Sequence, residues 1–165
     1  MIIFDLDQIL IDSLEAEPLR RSQRWTDVYS LIPSLTPFPG IQELLTELQN
    51  RNHSLAIVTS SPKPYCSRVV EHWNWPIDNI VAYHDTTKHK PDPEPLSLAV
   101  SRVNELNEPI FHVGDKPADT QAAKAAGIIS LAAMWGSTKP EALINSTPDH
   151  IFSTVDQITA FLLDN

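Results

Sequence analysis

Short apolar runs alternate along this chain with stretches of helical periodicity, and that alternation limits the folds open to it. Met1–Leu6, Leu55–Thr59, Ile110–Val113 and Ile128–Ala132 are largely apolar and β-prone, and Ile80–Tyr83 and His150–Phe152 are weaker runs of the same kind. Between them, Ile41, Leu44, Leu45 and Leu48 recur at 3.6-residue spacing. Leu96, Leu98, Ala99, Val103 and Leu106 follow that period less regularly. Ala118–Ala126 is alanine-rich and stops at Gly127, a residue suited to the position just past a helix. Strands alternating with helices predict βαβ units and an α/β fold, a Rossmann-like three-layer α/β/α sandwich with a mainly parallel sheet. Right-handed crossovers then place helices on both faces. Pro91, Pro93 and Pro95 predict a break in helix across their span, and Pro33, Pro37 and Pro39 mark an irregular stretch ahead of Gly40.

A chain of 165 residues predicts one domain spanning 1–165, long enough to bury a core without a disulfide or metal staple. Cys66 is the sole cysteine, which excludes an internal disulfide and a cysteine-based zinc site and leaves Cys66 a packing role. No apolar run approaches the ~20 residues needed to span a bilayer, and Met1-Ile2-Ile3-Phe4-Asp5 lacks the basic start of a signal peptide. The expectation is a cytoplasmic protein without a membrane partner. Twelve basic residues against 21 acidic ones give a net charge of −9, which argues against nucleic acid as a partner. Carboxylates that cluster in so acidic a chain need a reason not to repel, and a bound divalent cation is a common one. Only residues 8–38 break the strand–helix rhythm. They have room for one or two short helices around Leu14–Val28 but not for a second core.

In an open parallel sheet, ligands bind at the carboxyl ends of the strands. After the first apolar run come Asp5 and Asp7, which alternate along a strand and so share a face. After the second come Thr59, Ser60 and Ser61; after the weak run at Ile80 comes Lys88-His89-Lys90-Pro91; after Ile110–Val113 come Gly114, Asp115 and Asp119. Each group alone has an ordinary reading. A D-x-D pair is common, Thr59 and Ser60 could cap a helix, Lys90 could be a solvated lysine, and Asp115 could be a turn residue. His89 and His112 receive no role. The argument for a site is joint placement, with four strand ends delivering carboxylates, hydroxyls and a lysine to one edge.

That order resembles the signature of the haloacid dehalogenase-like hydrolases. The matching segments are Ile2-Ile3-Phe4-Asp5-Leu6-Asp7, Ala56-Ile57-Val58-Thr59, Lys90-Pro91-Asp92-Pro93 and Phe111-His112-Val113-Gly114-Asp115-Lys116-Pro117-Ala118-Asp119. Pro39-Gly40, Thr120–Gly127, Met134-Trp135-Gly136 and Pro148-Asp149-His150-Ile151 are similar to the phosphoglycolate phosphatase-like branch, so the resemblance covers residues 1–7 and about 39–165. It implies a Mg²⁺-dependent phosphatase acting on a phosphomonoester. Asp5 is then the nucleophile that forms an aspartyl-phosphate, and Asp7 is the general acid and then base. Thr59 hydrogen-bonds a phosphate oxygen, and Lys90 neutralises charge on the nucleophile and the phosphoryl group. Asp115 holds Mg²⁺ with Asp5 and the backbone carbonyl of Asp7, while Asp119 either approaches the metal or orients Lys90.

Two departures stand out. The family's DxDGT reads Asp7-Gln8-Ile9 here, so the backbone at position 8 is restricted. The cap that relatives carry between the first strand and the Pro-Gly helix shrinks to residues 8–38, a minimal or absent cap. A mutase, which needs a shielding cap, is disfavoured, and so is a dehalogenase, which lacks the acid/base Asp and the metal. The alternative function is a catalytically weak relative that binds a phosphorylated ligand or a protein partner. An open site suits a phosphorylated macromolecule, or a small ester if a second subunit of a homodimer covers it. Arg20, Arg21 and Arg24 form either a solvated face or a positive rim beside the site.

Overall fold

The computed structural model describes residues 1–103 and 109–164. In chain order the elements are β1 (Ile2–Phe4), β2 (Ile11–Asp12), α1 (Glu17–Arg21), α2 (Trp25–Leu31), β3 (Thr36–Pro37), α3 (Ile41–Asn50), β4 (Leu55–Val58), α4 (Lys63–His72), β5 (Asn79–Val81), α5 (Glu94–Ser101), β6 (Phe111–Gly114), α6 (Pro117–Ala125), β7 (Ile129–Ala133), α7 (Pro140–Asn145), β8 (His150–Phe152) and α8 (Val155–Asp164). Six strands form one sheet in the order β5-β4-β1-β6-β7-β8, and every pair in it is parallel. All six apolar runs of the sequence thus become strands, shifted by a residue or two at their ends.

Strand alternation splits the core between the two faces of the sheet. Ile2 and Phe4 face one side, with Ile41, Leu44, Leu45 and Leu48 of α3, Tyr65, Cys66 and Val69 of α4, and Val155, Ile158 and Leu162 of α8. Met1 and Ile3 face the other, with Leu96 and Ala99 of α5 and Ala122 and Ala123 of α6. The result is three layers. α6 ends where Gly127 takes a φ of 70°, a left-handed turn that glycine enters without steric cost. Cys66 is fully buried and unpaired, as a packing residue.

The proline expectation is corrected at α5. The helix begins at Glu94 with Pro95 in its first turn, where a missing N–H loses no intrahelical bond. α5 ends at Ser101, so Val103 packs beyond it, and Leu106 lies outside the described residues. No helix among the described residues is long and apolar enough to cross a membrane.

Residues 8–38 form a stemmed excursion rather than a loose loop. β2 and β3 pair antiparallel, Ile11 with Pro37 and Asp12 with Thr36, and α1 and α2 lie between them. Ala16, Val28, Ile32 and Leu35 are buried against the same core as α4, with Leu19, Trp25, Tyr29 and Leu31 packed around them. Leu14 is 48% exposed.

Candidate active site

The register of the sheet brings the chemistry together. Phe4 pairs with Ile57 on one side and Val113 on the other, and Val58 pairs with Val81. Parallel strands in this register end at the same edge, and the backbone pairing runs one residue further. Asp5 N–H donates to Val113 O at 2.9 Å, and Thr59 N–H donates to Val81 O at 3.0 Å. Asp5, Thr59 and Asp115 therefore leave three adjacent strands side by side. Asp119 returns to them from the first turn of α6. Gly114 makes that return possible, because a Cβ there would lie 2.3 Å from the Cβ of Asp119.

The centre is a buried charge cluster. Lys90 Nζ lies 2.7 Å from Asp119 Oδ1 and 3.4 Å from Asp5 Oδ2, and it donates to Val58 O at 3.0 Å. Its side chain is 5% exposed, so the solvated-lysine reading is wrong. Burial works against its charge, but Asp119 and Asp5 outweigh it and hold the ammonium above its usual range. Burial likewise opposes ionisation of Asp119, yet Lys90 and then His112 hold its carboxyl far below the carboxylate range. His112 Nε2 is 3.4 Å from Asp119 Oδ1 and Nδ1 is 3.2 Å from Ile3 O. Lys116 N–H donates to Asp119 Oδ2 at 3.1 Å. Both oxygens of Asp119 are thus engaged, which favours the orienting role over an open ligand position.

Asp115 is different. Its Oδ1 is buried and makes no hydrogen bond among the described residues, although the exposed Lys116 ammonium approaches to 3.4 Å. Burial, and next the charge of Asp5, push its carboxyl up to about 7. Asp5, Asp115 and Asp119 each present an oxygen within 4.8 Å of the others. An orphaned oxygen in a group of hard carboxylate donors fits a divalent cation such as Mg²⁺.

Asp7 sits apart from that group. Its Oδ1 accepts from Ser13 Oγ at 2.7 Å and Tyr65 OH at 3.0 Å. Its Oδ2 accepts from Ser61 Oγ at 2.7 Å and is paired with the Arg20 guanidinium. Burial, then the charge of Asp7, raises the Tyr65 phenol well above its ordinary value, so it stays a donor. Thr59 is buried, and its Oγ1 accepts from Ser61 N–H at 3.1 Å rather than capping α4, which starts after Pro62.

The Gln8-Ile9 departure is accommodated. Gln8 takes a φ of 67°, the left-handed region in which glycine is at ease. With its carboxamide oxygen turned inward, the side chain accepts from the N–H groups of Ser13 at 2.9 Å and Leu14 at 3.0 Å. Ile9 is fully buried. The loop after β7 closes over this bend: Trp135 Nε1 donates to Ile9 O at 3.2 Å, and a Cβ on Gly136 would lie 1.7 Å from Gln8 O.

A cavity of about 500 Å³ opens above the cluster, walled by Asp5, Asp7, Thr59 and Ser61 from the strand ends and by Glu17, Arg20 and Trp25 from the excursion. The three arginines part ways. Arg20 turns inward to Asp7, Arg21 lines the cavity mouth while pairing with Glu17, and Arg24 pairs with Asp27 outside the cavity. Sequence reasoning missed His112, Ser13, Tyr65 and the inward turn of Arg20. Of the residues expected at the site, Asp5, Asp7 and Thr59 line the cavity, and Lys90, Asp115 and Asp119 cluster against Asp5 beside it.

Comparison with known proteins points one way. The family described as haloacid dehalogenase-like hydrolase matches residues 19–133. Phosphoglycolate phosphatases of Salmonella typhimurium and Escherichia coli are 33% and 31% identical over 123 residues, which is 73% of this chain and 49% of theirs. The chain therefore spans about half the length of the curated relatives it matches. Among solved structures, a hydrolase from Pseudomonas syringae superposes with a TM-score of 0.80 at 20% identity over 99% of this chain and 97% of that one. A HAD-superfamily hydrolase from Ehrlichia chaffeensis gives 0.70 at 21% identity over 99% and 95%. These likenesses carry the fold, and the match over most of the sequence carries the kinship: the chain belongs to the haloacid dehalogenase-like hydrolase family.

Proposed function

We propose that this protein is a Mg²⁺-dependent phosphatase that hydrolyses a phosphomonoester through an aspartyl-phosphate on Asp5. The observation that carries the reading is the pairing of Asp5 with Lys90 at the floor of the cavity, beside the unsatisfied Asp115. Asp5 attacks phosphorus, and the ester oxygen leaves with a proton from Asp7. Asp7 then takes a proton from water, which attacks the aspartyl-phosphate and releases phosphate. Lys90, held by Asp119 and Val58 O, keeps a fixed positive charge beside the transferring group. Thr59 offers its hydroxyl to a phosphoryl oxygen. Asp5, Asp115 and the backbone carbonyl of Asp7 would hold the cation, with Asp119 adjoining. When bound, the cation supplies charge neutralisation for the phosphoryl oxygens.

The named relatives make 2-phosphoglycolate the first ester to test, beside a panel of small phosphates and phosphopeptides. Turnover of p-nitrophenyl phosphate, measured with Mg²⁺ and with excess chelator, decides the reading. Activity that depends on Mg²⁺ is the expected result, and full activity in chelator would overturn it.

A further inference from the structure

Arg20 holds Asp7 in a closed arrangement. The proposed reaction needs Asp7 to reach the leaving oxygen, yet both its carboxylate oxygens are taken. Three of the donors are hydroxyls, which rotate and exchange easily. The fourth is a guanidinium whose side chain is 16% exposed, lies 5.8 Å from the Tyr65 ring centre and donates to Ser61 Oγ at 3.4 Å. Only Nη1 is engaged in these contacts. Arg20 Nε is buried and has no hydrogen-bond partner among the described residues. A guanidinium presents Nε and Nη2 as a bidentate edge suited to anionic oxygens, and here that edge has no protein anion to hold. Arg20 also lines the cavity whose floor is Asp5.

We infer that Arg20 is a specificity residue that recognises a second anionic group on the leaving part of the substrate and thereby releases Asp7. The inference rests on the phosphatase reading for the role of Asp7. Geometry limits the substrate. Arg20 touches the same carboxylate that must protonate the ester oxygen, so the second anion stands only a few bonds from that oxygen. The fitting class is a small phosphomonoester with a carboxylate or a further phosphoryl group near the ester. A substrate without that anion leaves Arg20 on Asp7 and reacts slowly.

The test separates binding from turnover. Calorimetry compares ethylphosphonate, phosphonoacetate and methylenediphosphonate, in the presence of Mg²⁺, on the wild-type protein and on Arg20→Gln, Arg20→Lys and Arg24→Gln. The wild type should bind one of the two probes that carry a second anionic group at least tenfold more tightly than ethylphosphonate, and which one tells carboxylate from phosphoryl. Arg20→Gln should reduce that preference below threefold, and Arg20→Lys, which keeps the charge without the fork, should fall between. Arg24→Gln removes an equal charge outside the cavity and should keep the preference. In turnover, Arg20→Gln should hydrolyse ethyl phosphate several-fold faster than the wild type, because Asp7 is freed; a merely structural arginine would slow it. Absence of preference in the wild type, equal preference in Arg20→Gln, or slower ethyl phosphate turnover would each overturn the inference. Should no phosphomonoester be hydrolysed by the wild type, the phosphatase reading and the release of Asp7 fail together, while the phosphonate preference still decides whether Arg20 reads the anion. If Arg20→Gln does not fold, Arg20→Lys carries both measurements.

Discussion

The two halves of the cavity solve opposite electrostatic problems. At the strand ends, three carboxylates crowd together, and the buried Lys90 and the exposed Lys116 offset part of their charge, yet Asp115 keeps an oxygen without a hydrogen bond and a carboxyl pushed up to about 7. At the excursion, one carboxylate, Asp7, gathers four donors. The first half carries an unmet demand for a cation; the second is content until something removes a donor. The strand-end groups stand on the neighbouring strands β4, β1 and β6 and on the first turn of α6, whereas Arg20 reaches in from a helix of five residues.

Removing the proposed nucleophile tests the strand-end half most severely. Asp5→Asn keeps the shape of the side chain but is a poor nucleophile, and turnover should fall at least a thousandfold while the fold persists. Retention of more than a few per cent of activity, with the thermal midpoint measured alongside, would sink the nucleophile assignment. Lys90→Met strikes at both stability and rate. It leaves Asp5 and Asp119 buried without their cation, so unfolding free energy should drop by about 3 kcal/mol, with turnover lower by a hundredfold or more. A denaturant midpoint within error of the wild type would show that the buried pair is not what holds this half together.

Asp115→Asn should instead stabilise the metal-free protein. The unfolded carboxyl titrates near ~3.9 and the folded one at about 7, so between these values the folded state binds more protons. Stability is therefore lost as pH rises through that window, by up to about 4 kcal/mol for three pH units. The variant should gain up to about 4 kcal/mol at pH 8 in chelator and nothing at pH 4. Equal midpoints at both pH values would mean that Asp115 is not strained. The smallest effect belongs to the excursion's root. Gln8→Gly relieves a left-handed side chain worth about 1 kcal/mol but loses two capping hydrogen bonds of about 1 kcal/mol each. Gln8→Ala loses the bonds and keeps the strain. The order of melting temperatures should be wild type, then Gln8→Gly, then Gln8→Ala; a Gln8→Gly protein above the wild type would show that the cap does nothing.

The strand-end half was also the legible one. Asp5, Thr59 and Asp115 follow apolar runs, and parallel register places them together without further information. Asp119 and the Lys88-His89-Lys90 segment were also placed at that edge, but choosing Lys90 needed the family resemblance, because nothing in Lys88-His89-Lys90 marks one lysine as buried. One or two short helices were expected in the excursion and two form there, but its stem and its contacts with Asp7 were opaque for physical reasons. Its two strands are two residues each and its helices five and seven, too short for periodicity to show. The donors of Asp7 come from Ser13, Arg20, Ser61 and Tyr65, four positions joined only by folding. Proline misled at α5, since Pro95 reads as a breaker until the helix start is known.

The pairing of β2 with β3 has a further consequence. Ile11 sits opposite Pro37 and Asp12 opposite Thr36, so the excursion leaves and re-enters the body of the protein through one narrow gate, while its tip at Ser22–Arg24 is exposed. Lengthening a loop costs only about 0.6 kcal/mol for each doubling. A whole module spliced at that tip would hang from the gate without stretching the strand ends beneath it. The stem thus has the geometry of a socket, one that would let the same strand-end floor carry roofs of very different size.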